Sequence, residues 1–327
     1  MLMVDPGPMP PTLSRLPLFD RLEPARRVLI AGAGGGFDVF AGLPLYFALR
    51  AAGKEVFLAN LTFTYLGGTE CEWVAPGLAR VDARTEGEPR YFPEKYLCEW
   101  LETQGDTTSI YCFEKLGVAP VRVAYRALLS HLGIDAIVLV DGGTDILMRG
   151  DEAGLGTPQE DMVSLAAVSA LDDVPVRIVS CLGFGIDAFH GVCHANFLEN
   201  VAALDADGGY LGAVSLLGAM PEGARFRQAV LHVHDKMPER QSIVNGSIVS
   251  ALEGHFGDHQ RTERTSTSKL FINPLMCLYW SFDLAAVARR SLYLPLLEDT
   301  ESIFDVNARI EAFRKTVAKR PREPIPV

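Results

Sequence analysis

The sequence predicts an α/β protein with a Rossmann-like, doubly wound and mainly parallel sheet and a helical C-terminal half. Short runs rich in Val, Ile and Leu alternate with longer segments of helical periodicity, a pattern typical of β-α-β units. The first such run, residues 27–31, leads directly into a glycine-rich loop, which is the usual turn between the first strand and helix of this fold. From about residue 196 onwards, helical patterns predominate.

The first predicted β-α-β unit contains a strand at 27–31, the glycine loop, a helix and a second strand at 55–60. Pro44 fits a helix only in its first turn, so we expect this helix to begin near Leu43 and to end before Gly53. Crossovers of this kind are right-handed and join parallel strands, so the unit predicts a parallel sheet.

The rest of the chain continues the alternation. Residues 62–88 are irregular and glycine-rich, and we expect them to run over the edge of the sheet. Thr157-Pro158-Gln159-Glu160 predicts a capping box with proline at the first helical position, which would begin a helix that ends near residue 171. Residues 269–273 are expected to return to the sheet. Further strands are predicted at 134–140 and 174–181, and further helices at 93–103, 120–132, 196–206, 222–237, 242–253 and 302–317.

Composition limits the classes of protein and partner. The 327 residues are long enough for one large domain, which we place at 26–318 between a proline-rich leader at 1–25 and a tail at 319–327. The formal net charge of −11 argues against a nucleic acid or an anionic membrane as partner, because both need a basic face. A small-molecule substrate and a second copy of the chain are the partners left open.

Cysteine spacing and the N-terminal pattern predict the compartment. The six cysteines are far apart and form no CxxC pair, which indicates reduced thiols. The N-terminal region lacks the basic start and apolar core of a signal peptide, and no apolar run approaches the roughly 18 residues of a membrane span. We therefore expect a cytoplasmic protein.

The glycine loop is the first candidate binding element. Glycines at this turn allow close ligand approach, and the helix that follows adds partial positive charge. Phe37 replaces the third glycine of the dinucleotide pattern, and the second strand ends at Asn60 instead of an acid, so ordinary NAD(P) is not expected. We expect another ligand here, with a simple tight turn as the alternative. The candidate substrate-binding residues are Gly34, Gly35, Gly36, Asp38 and Asn60.

The acidic loop after the strand at 134–140 is the second candidate element. Asp141 and Asp145 lie at the carboxyl end of a buried strand, where α/β sheets bind ligands. Their carboxylates could hold a divalent cation such as Mg²⁺, bind sugar hydroxyls or act as general bases, and Asx-turn chemistry is the structural alternative. Arg149 could clamp an anionic group or neutralise its acidic neighbours. The binding candidates in this loop are Gly142, Gly143, Thr144 and Arg149.

A third loop follows the strand at 174–181. Gly183, Gly185 and Asp187 occupy the position that the first two loops predict for a binding element. His190 or His194, close behind them in sequence, is a candidate general acid or base.

Two motifs also carry a resemblance to a known family. AGAGGGFDV at 31–39 and DGGTDILMRGDE at 141–152, followed by GTPQED at 156–161, resemble an uncharacterised domain family of archaeal and bacterial proteins. The resemblance extends over roughly residues 26–300. It implies a single domain with a site shared by the first and third β-α loops, and it implies no reaction.

These features lead to three hypotheses. The leading one is a small-molecule hydrolase or group transferase for a phosphorylated, nucleotide-like or sugar-like substrate, with Asp141 and Asp145 as cation ligands or bases. The second is a lyase or cyclase for a carboxylate metabolite, which Arg149 would clamp. The third is a non-catalytic nucleotide-binding module.

Overall fold

The computed structural model describes residues 12–262 and 269–325. Nine of the strands in these ranges form the central sheet, and two others pair separately. The strands in chain order are β1 (Arg27–Gly32), β2 (Glu55–Leu61), β3 (Glu72–Ala75), β4 (Leu78–Val81), β5 (Ile110–Phe113), β6 (Ala136–Gly142), β7 (Val176–Leu182), β8 (Tyr210–Ser215), β9 (Gly257–Asp258), β10 (Phe271–Ile272) and β11 (Leu278–Asp283). The helices are α1 (Pro17–Leu22), α2 (Asp38–Ala41), α3 (Leu43–Ala51), α4 (Pro93–Thr103), α5 (Val118–Leu132), α6 (Pro158–Ser169), α7 (His194–Ala206), α8 (Pro221–Lys236), α9 (Ile243–Leu252), α10 (Leu284–Arg290) and α11 (Ile303–Thr316).

The order of the strands confirms the doubly wound, mainly parallel sheet. Across the sheet the strands run β3-β4-β5-β2-β1-β6-β7-β11-β8, and the five from β5 to β7 are mutually parallel. The chain builds outwards from β1 through β2 to β5, then crosses to β6 on the other side of β1 and continues to β7. The side on which new strands are added to the sheet therefore changes between β1 and β6. In folds of this type, a crevice opens at the carboxyl ends of the two strands on either side of this change.

Antiparallel strands complete both edges of the sheet. The irregular segment at 62–88 contributes β3 and β4, which pair antiparallel with each other and with β5, so it extends the edge instead of merely covering it. At the other edge β11 pairs antiparallel with β7 and β8. The predicted return of residues 269–273 to this sheet is wrong. Their strand β10 pairs with β9 in a separate two-stranded sheet, and β11, which the sequence pattern did not reveal, fills the place beside β7.

Helices cover both faces of the sheet and bury an apolar layer on each. On one face, α5, α6, α7, α10 and α11 contribute to a continuous core, and on the other α1, α3, α4, α8 and α9 do so. All seven residues of β6 are buried, as expected for a central strand between two helical layers. The predicted leader contributes α1, whose Leu18 and Leu22 are buried, while residues 1–11 lie outside the described ranges. Among the described residues, no helix combines the length and the apolar character needed to cross a membrane.

The predicted bounds of several helices agree closely with the structure. Helix α3 begins at Leu43 with Pro44 in its first turn, and the separate four-residue helix α2 precedes it. Helix α5 ends where Gly133 adopts a left-handed conformation, with φ of 61°. Glycine and proline positions therefore predicted these ends, because both residues act on the backbone locally.

The predicted capping box at Thr157 is wrong, although α6 begins at Pro158 as expected. The Thr157 side chain makes no capping hydrogen bond. Its backbone N–H instead donates to Asp145 Oδ2 at 2.7 Å, and Glu160 pairs with Lys115 at 2.5 Å between Oε1 and Nζ. Thr157 and Glu160 therefore bond to residues outside the motif and not to each other. Ser302 and Asp305 form a complete capping box at the start of α11.

Candidate active site

Five aspartates, four of them buried and Asp38 partly buried, converge where β1, β6 and β7 end. Asp141 belongs to β6 itself, and Asp38 follows the glycine loop after β1. Asp161 reaches the same place from the first turn of α6. The full group, called here the carboxylate cluster, is Asp38, Asp141, Asp145, Asp161 and Asp187.

Three members of the cluster are close enough to share one ion. Asp38, Asp141 and Asp161 each offer a carboxylate oxygen, and the three oxygens lie within 4.8 Å of one another. Hard cations such as Mg²⁺ and Ca²⁺ take oxygen ligands at about 2.0–2.6 Å, so oxygens that share one ion lie within about 5 Å of one another, as these three do. Asp141 and Asp161 are only 2% and 3% exposed. This trio, called here the aspartate triad, is therefore a candidate metal centre.

The backbone of Gly34 passes between two of these carboxylates. A Cβ at this position would lie 2.8 Å from both Asp161 Oδ1 and Asp38 Oδ2, so a larger residue would push the two groups aside. The N–H of Gly34 donates to Asp38 Oδ2 at 2.6 Å. Among the described residues, none donates a hydrogen bond to the buried Asp161 Oδ1. That oxygen retains a full capacity to coordinate an ion.

Burial raises the pKa of each aspartate in the cluster, and repulsion between neighbouring carboxylates adds to this effect for all of them except Asp145. Burial is the largest cause and lifts the pKa of Asp38 from its usual 3.8 to about 7. The pKa values of Asp141 and Asp161 are raised well above the usual range by burial and by the charges of neighbouring carboxylates. Such groups either hold protons or require a compensating positive charge.

Asp145 and Asp187 belong to the cluster but hold its loops together. Asp145 Oδ2 accepts the N–H of Thr157, as described above, and so ties the acidic loop to the start of α6. Asp187 Oδ2 accepts the N–H of Thr144 at 2.7 Å, which joins the loops after β6 and β7. The sequence predicts Asp141 and Asp145 as the cation ligands. In the structure, Asp141 lies close to Asp38 and Asp161, and Asp145 instead binds the N–H of Thr157.

Two N–H groups of the glycine loop donate hydrogen bonds to neighbouring parts of the protein. Gly34 donates to Asp38, as above, and Gly36 donates to the carbonyl of Leu61 at 3.1 Å. The carbonyl of Gly36 accepts the side-chain amide of Asn60 at 2.8 Å. The loop therefore serves to place Asp38 in the triad. Asn60 is completely buried beneath it, so the expectation that Asn60 contacts substrate does not match its position.

A cleft of about 810 Å³ opens beside the triad, with Asp38 on its lining. Phe37, Phe63 and Tyr91 give one part of its wall an aromatic character. The rings of Phe37 and Tyr91 meet edge to face at 6.2 Å, and Phe63 is 47% exposed. The remaining lining includes Gly35, Gly36, Arg90, His190, Arg240 and Asn245.

The two candidate histidines lie in different surroundings. His190 lines the cleft, and its charge lowers the pKa of Asp145 against the larger effect of burial. His194 packs against Phe184, with ring centroids 5.1 Å apart, and its Nε2 faces Gly185. The structure therefore brings His190, and not His194, to the cleft. Gly185 lies on the His194 side of the loop.

The other predicted residues divide between the site and its surroundings. Gly142 lies against Asp38, and Gly143 lies against Asp187 and close to Gly183. Arg149 lies outside the cleft lining. Its Nε is 3.5 Å from Asp151 Oδ1, and its backbone N–H donates to Glu152, so it stabilises the far end of the acidic loop.

Sequence reasoning missed two residues of this region. Asp161 lies in the first turn of a helix, where an acidic residue is ordinarily explained by the helix dipole. The signal that could have identified it is its place in the motif at 156–161. Glu94 lies beneath the glycine loop and is completely buried, and its position in an ordinary helical pattern gave no sign of that.

Comparisons with known proteins give one match. A family model described as "Protein of unknown function (DUF1152)" matches residues 69–316. The match confirms the resemblance to an uncharacterised family, and the glycine loop lies before the matched range. No curated protein and no solved structure matches the chain.

Proposed function

The chain belongs to the DUF1152 family of proteins of unknown function, and from its site we propose that it is a divalent-cation-dependent enzyme for a small phosphorylated substrate. Hydrolysis or group transfer on a nucleotide-like or sugar-like compound is the chemistry that a cation-binding carboxylate site beside a cleft supports best. The substrate would occupy the cleft, with its phosphate towards Asp38.

The aspartate triad is the observation that carries this proposal. Three carboxylates lie side by side, two of them buried, and repel one another, and a divalent cation removes that repulsion while satisfying their oxygens. Within the described part of the chain Asp161 Oδ1 has no hydrogen-bond partner, which is a second indication because buried polar atoms ordinarily have partners. Both observations favour an ion over a purely structural cluster.

The chain's own residues have distinct roles under this proposal. The bound cation would neutralise and polarise a phosphate group at the floor of the cleft. Arg90 and Arg240 on the lining would contact outer oxygens of the substrate, and the faces of Phe63 and Tyr91 would receive its less polar part. His190 is positioned on the same lining to move a proton.

Titration with Mn²⁺ as the probe cation tests the site directly. We expect calorimetry to show one Mn²⁺ per chain, and Asp161→Asn to weaken its binding at least tenfold because a charged ligand is lost. Asp172→Asn is the matched control, since the Asp172 side chain is 91% exposed and pairs only at the surface. Absence of Mn²⁺ binding to the wild-type protein, or equal binding to Asp161→Asn, would refute the proposal.

A thermal-shift screen then identifies the substrate class. Nucleotides, sugar phosphates and dicarboxylates are each tested with and without Mg²⁺. A ligand at 100 times its Kd stabilises the folded state by about 2.7 kcal/mol. We expect stabilisation by phosphorylated compounds only with Mg²⁺, and product formation from the same compounds. Tight binding without product would instead support the non-catalytic binding module.

A further inference from the structure

Glu94 is a completely buried carboxylate beneath the cleft, in the first turn of α4. Its Oε1 accepts the side-chain amide of Asn60 at 2.8 Å, and its Oε2 accepts the hydroxyl of Thr64 at 3.1 Å. Burial raises its pKa, while hydrogen bonds from Thr62, Asn60 and Thr64 act in the opposite direction. A carboxyl group with this many donors is held in one orientation.

The hydrogen bonds of Glu94 connect two segments that line the cleft. Asn60 uses the same amide nitrogen to donate to Gly36 O, also at 2.8 Å, so Glu94 is linked to the glycine loop. Thr64 follows Phe63, an aromatic residue of the cleft wall. Tyr91 lies next to Phe63, since both are within 3.3 Å of where a Cβ of Gly36 would be, and it precedes Glu94 by three positions in the chain. The Glu94 side chain therefore joins the glycine loop to the segment that carries Phe63.

The glycine loop needs such a tether because glycines cannot anchor themselves. Gly35 and Gly36 have φ values of 87° and 61°, in the left-handed region that glycine adopts readily. Without side chains, neither residue can pack into the core to fix the loop. The Asn60 bond to Gly36 O lies two positions before Asp38, and it limits where that carboxylate can be.

We propose that Glu94 is a positioning residue that, through Asn60 and Gly36, holds Asp38 in place for the cation. The inference rests on the proposed function, because it requires an ion at the aspartate triad. Glu94 itself does not touch the ion. Supporting residues around metal ligands orient them, and their loss commonly weakens metal binding by about 10- to 100-fold.

The test compares Mn²⁺ binding of the wild-type protein with that of Glu94→Gln, by calorimetry and by the electron paramagnetic resonance spectrum of the bound ion. Glutamine keeps the size of the side chain but removes the charge that orients the Asn60 amide. We expect about tenfold weaker binding and an altered spectrum. Glu99→Gln on the same helix is the control, because Glu99 pairs with Lys95 and Lys236 on the outside of α4.

A second variant covers the case in which Glu94→Gln does not fold. Thr64→Val removes only the hydroxyl that donates to Glu94, and we expect a smaller loss of affinity in the same direction. Unchanged Mn²⁺ affinity and spectrum in a folded Glu94→Gln or Thr64→Val protein would overturn the inference and leave the proposed function standing. Wild-type protein that binds no Mn²⁺ would overturn both.

Discussion

Under the proposed function, Asp38 is the residue at which a proton and the cation would compete. Its carboxyl is the member of the triad that lines the cleft, while Asp141 and Asp161 lie behind it. Its pKa of about 7 lies well above the usual 3.8, mainly through burial. A proton and a divalent cation both neutralise this carboxylate, so cation binding should displace protons near neutral pH.

The pH dependence of stability tests this competition. Because the folded-state pKa of Asp38 is raised, its contribution to stability is fully present below about pH 4 and is lost as the pH rises through about 7. Without divalent cation, we expect Asp38→Asn to become more stable relative to wild type between pH 5 and pH 8. Melting curves at several pH values in EDTA measure this difference.

The same variant in saturating Mn²⁺ provides the control. The cation should stabilise wild-type protein far more than Asp38→Asn, so the order of their melting temperatures should reverse at pH 8. A difference between the two proteins that does not change with pH in EDTA would contradict the raised pKa of Asp38.

At the scale of the element, the junction before α6 depends on a close contact between a loop and a carboxylate. Gly156 has φ of 73°, and a Cβ there would overlap sterically with Asp145 Oδ2 and Cβ. Asp145 accepts the Thr157 N–H in place of a conventional cap. The start of α6, and with it the position of Asp161, therefore depends on glycine at 156.

The substitution Gly156→Ala tests this dependence. We expect it to cost about 1–3 kcal/mol more than Gly53→Ala, because overpacking adds to the strain of positive φ. Gly53 is the matched control, since it has φ of 81° and no other residue within 4 Å of its Cβ position. Urea denaturation of both variants measures the difference. Equal losses of unfolding free energy in the two variants would show that the loop can move away from Asp145 without destabilising the protein.

At the scale of the whole molecule, the antiparallel strand β11, which lies between β7 and β8, joins the parallel part of the sheet through a buried polar contact. Ser180 of β7 and Ser281 of β11 are completely buried, and their hydroxyl oxygens lie 2.9 Å apart. The two residues are paired in the register of the strands. This contact favours one alignment of β11, because a shift would leave both hydroxyls without a partner.

Alanine substitutions measure the coupling across this pair. Ser180→Ala or Ser281→Ala alone leaves one buried hydroxyl unsatisfied, and we expect each to cost about 1–3 kcal/mol. The double variant should cost less than the sum, by about 1 kcal/mol, because neither hydroxyl remains. Strict additivity in urea denaturation would mean that the two hydroxyls do not stabilise each other.

Local signals determined much of the fold. The runs at 27–31 and 134–140 are short, apolar and bounded by glycine, which is enough to predict buried strands and the loops that follow them. Pro44, Gly133 and Pro158 fixed helix ends because they act on the backbone within one turn. Strands β8 and β11 gave no such signal, since their apolar and polar residues mix and their pairing depends on distant partners.

In the candidate site, too, some features follow from local sequence and others from contacts between distant segments. The sequence by itself determined that Asp141 lies at the end of a strand and that Asp38 follows the glycine loop after another, because that depends on the short segments around them. Only the tertiary structure decided that Asp161 joins them, that Asp145 caps α6, and that Asn60 and Glu94 lie beneath the loop. These relations depend on which strands become neighbours and on how α4 and α6 pack across the sheet. Contacts between residues so far apart in the chain are set by global packing, which no local pattern contains.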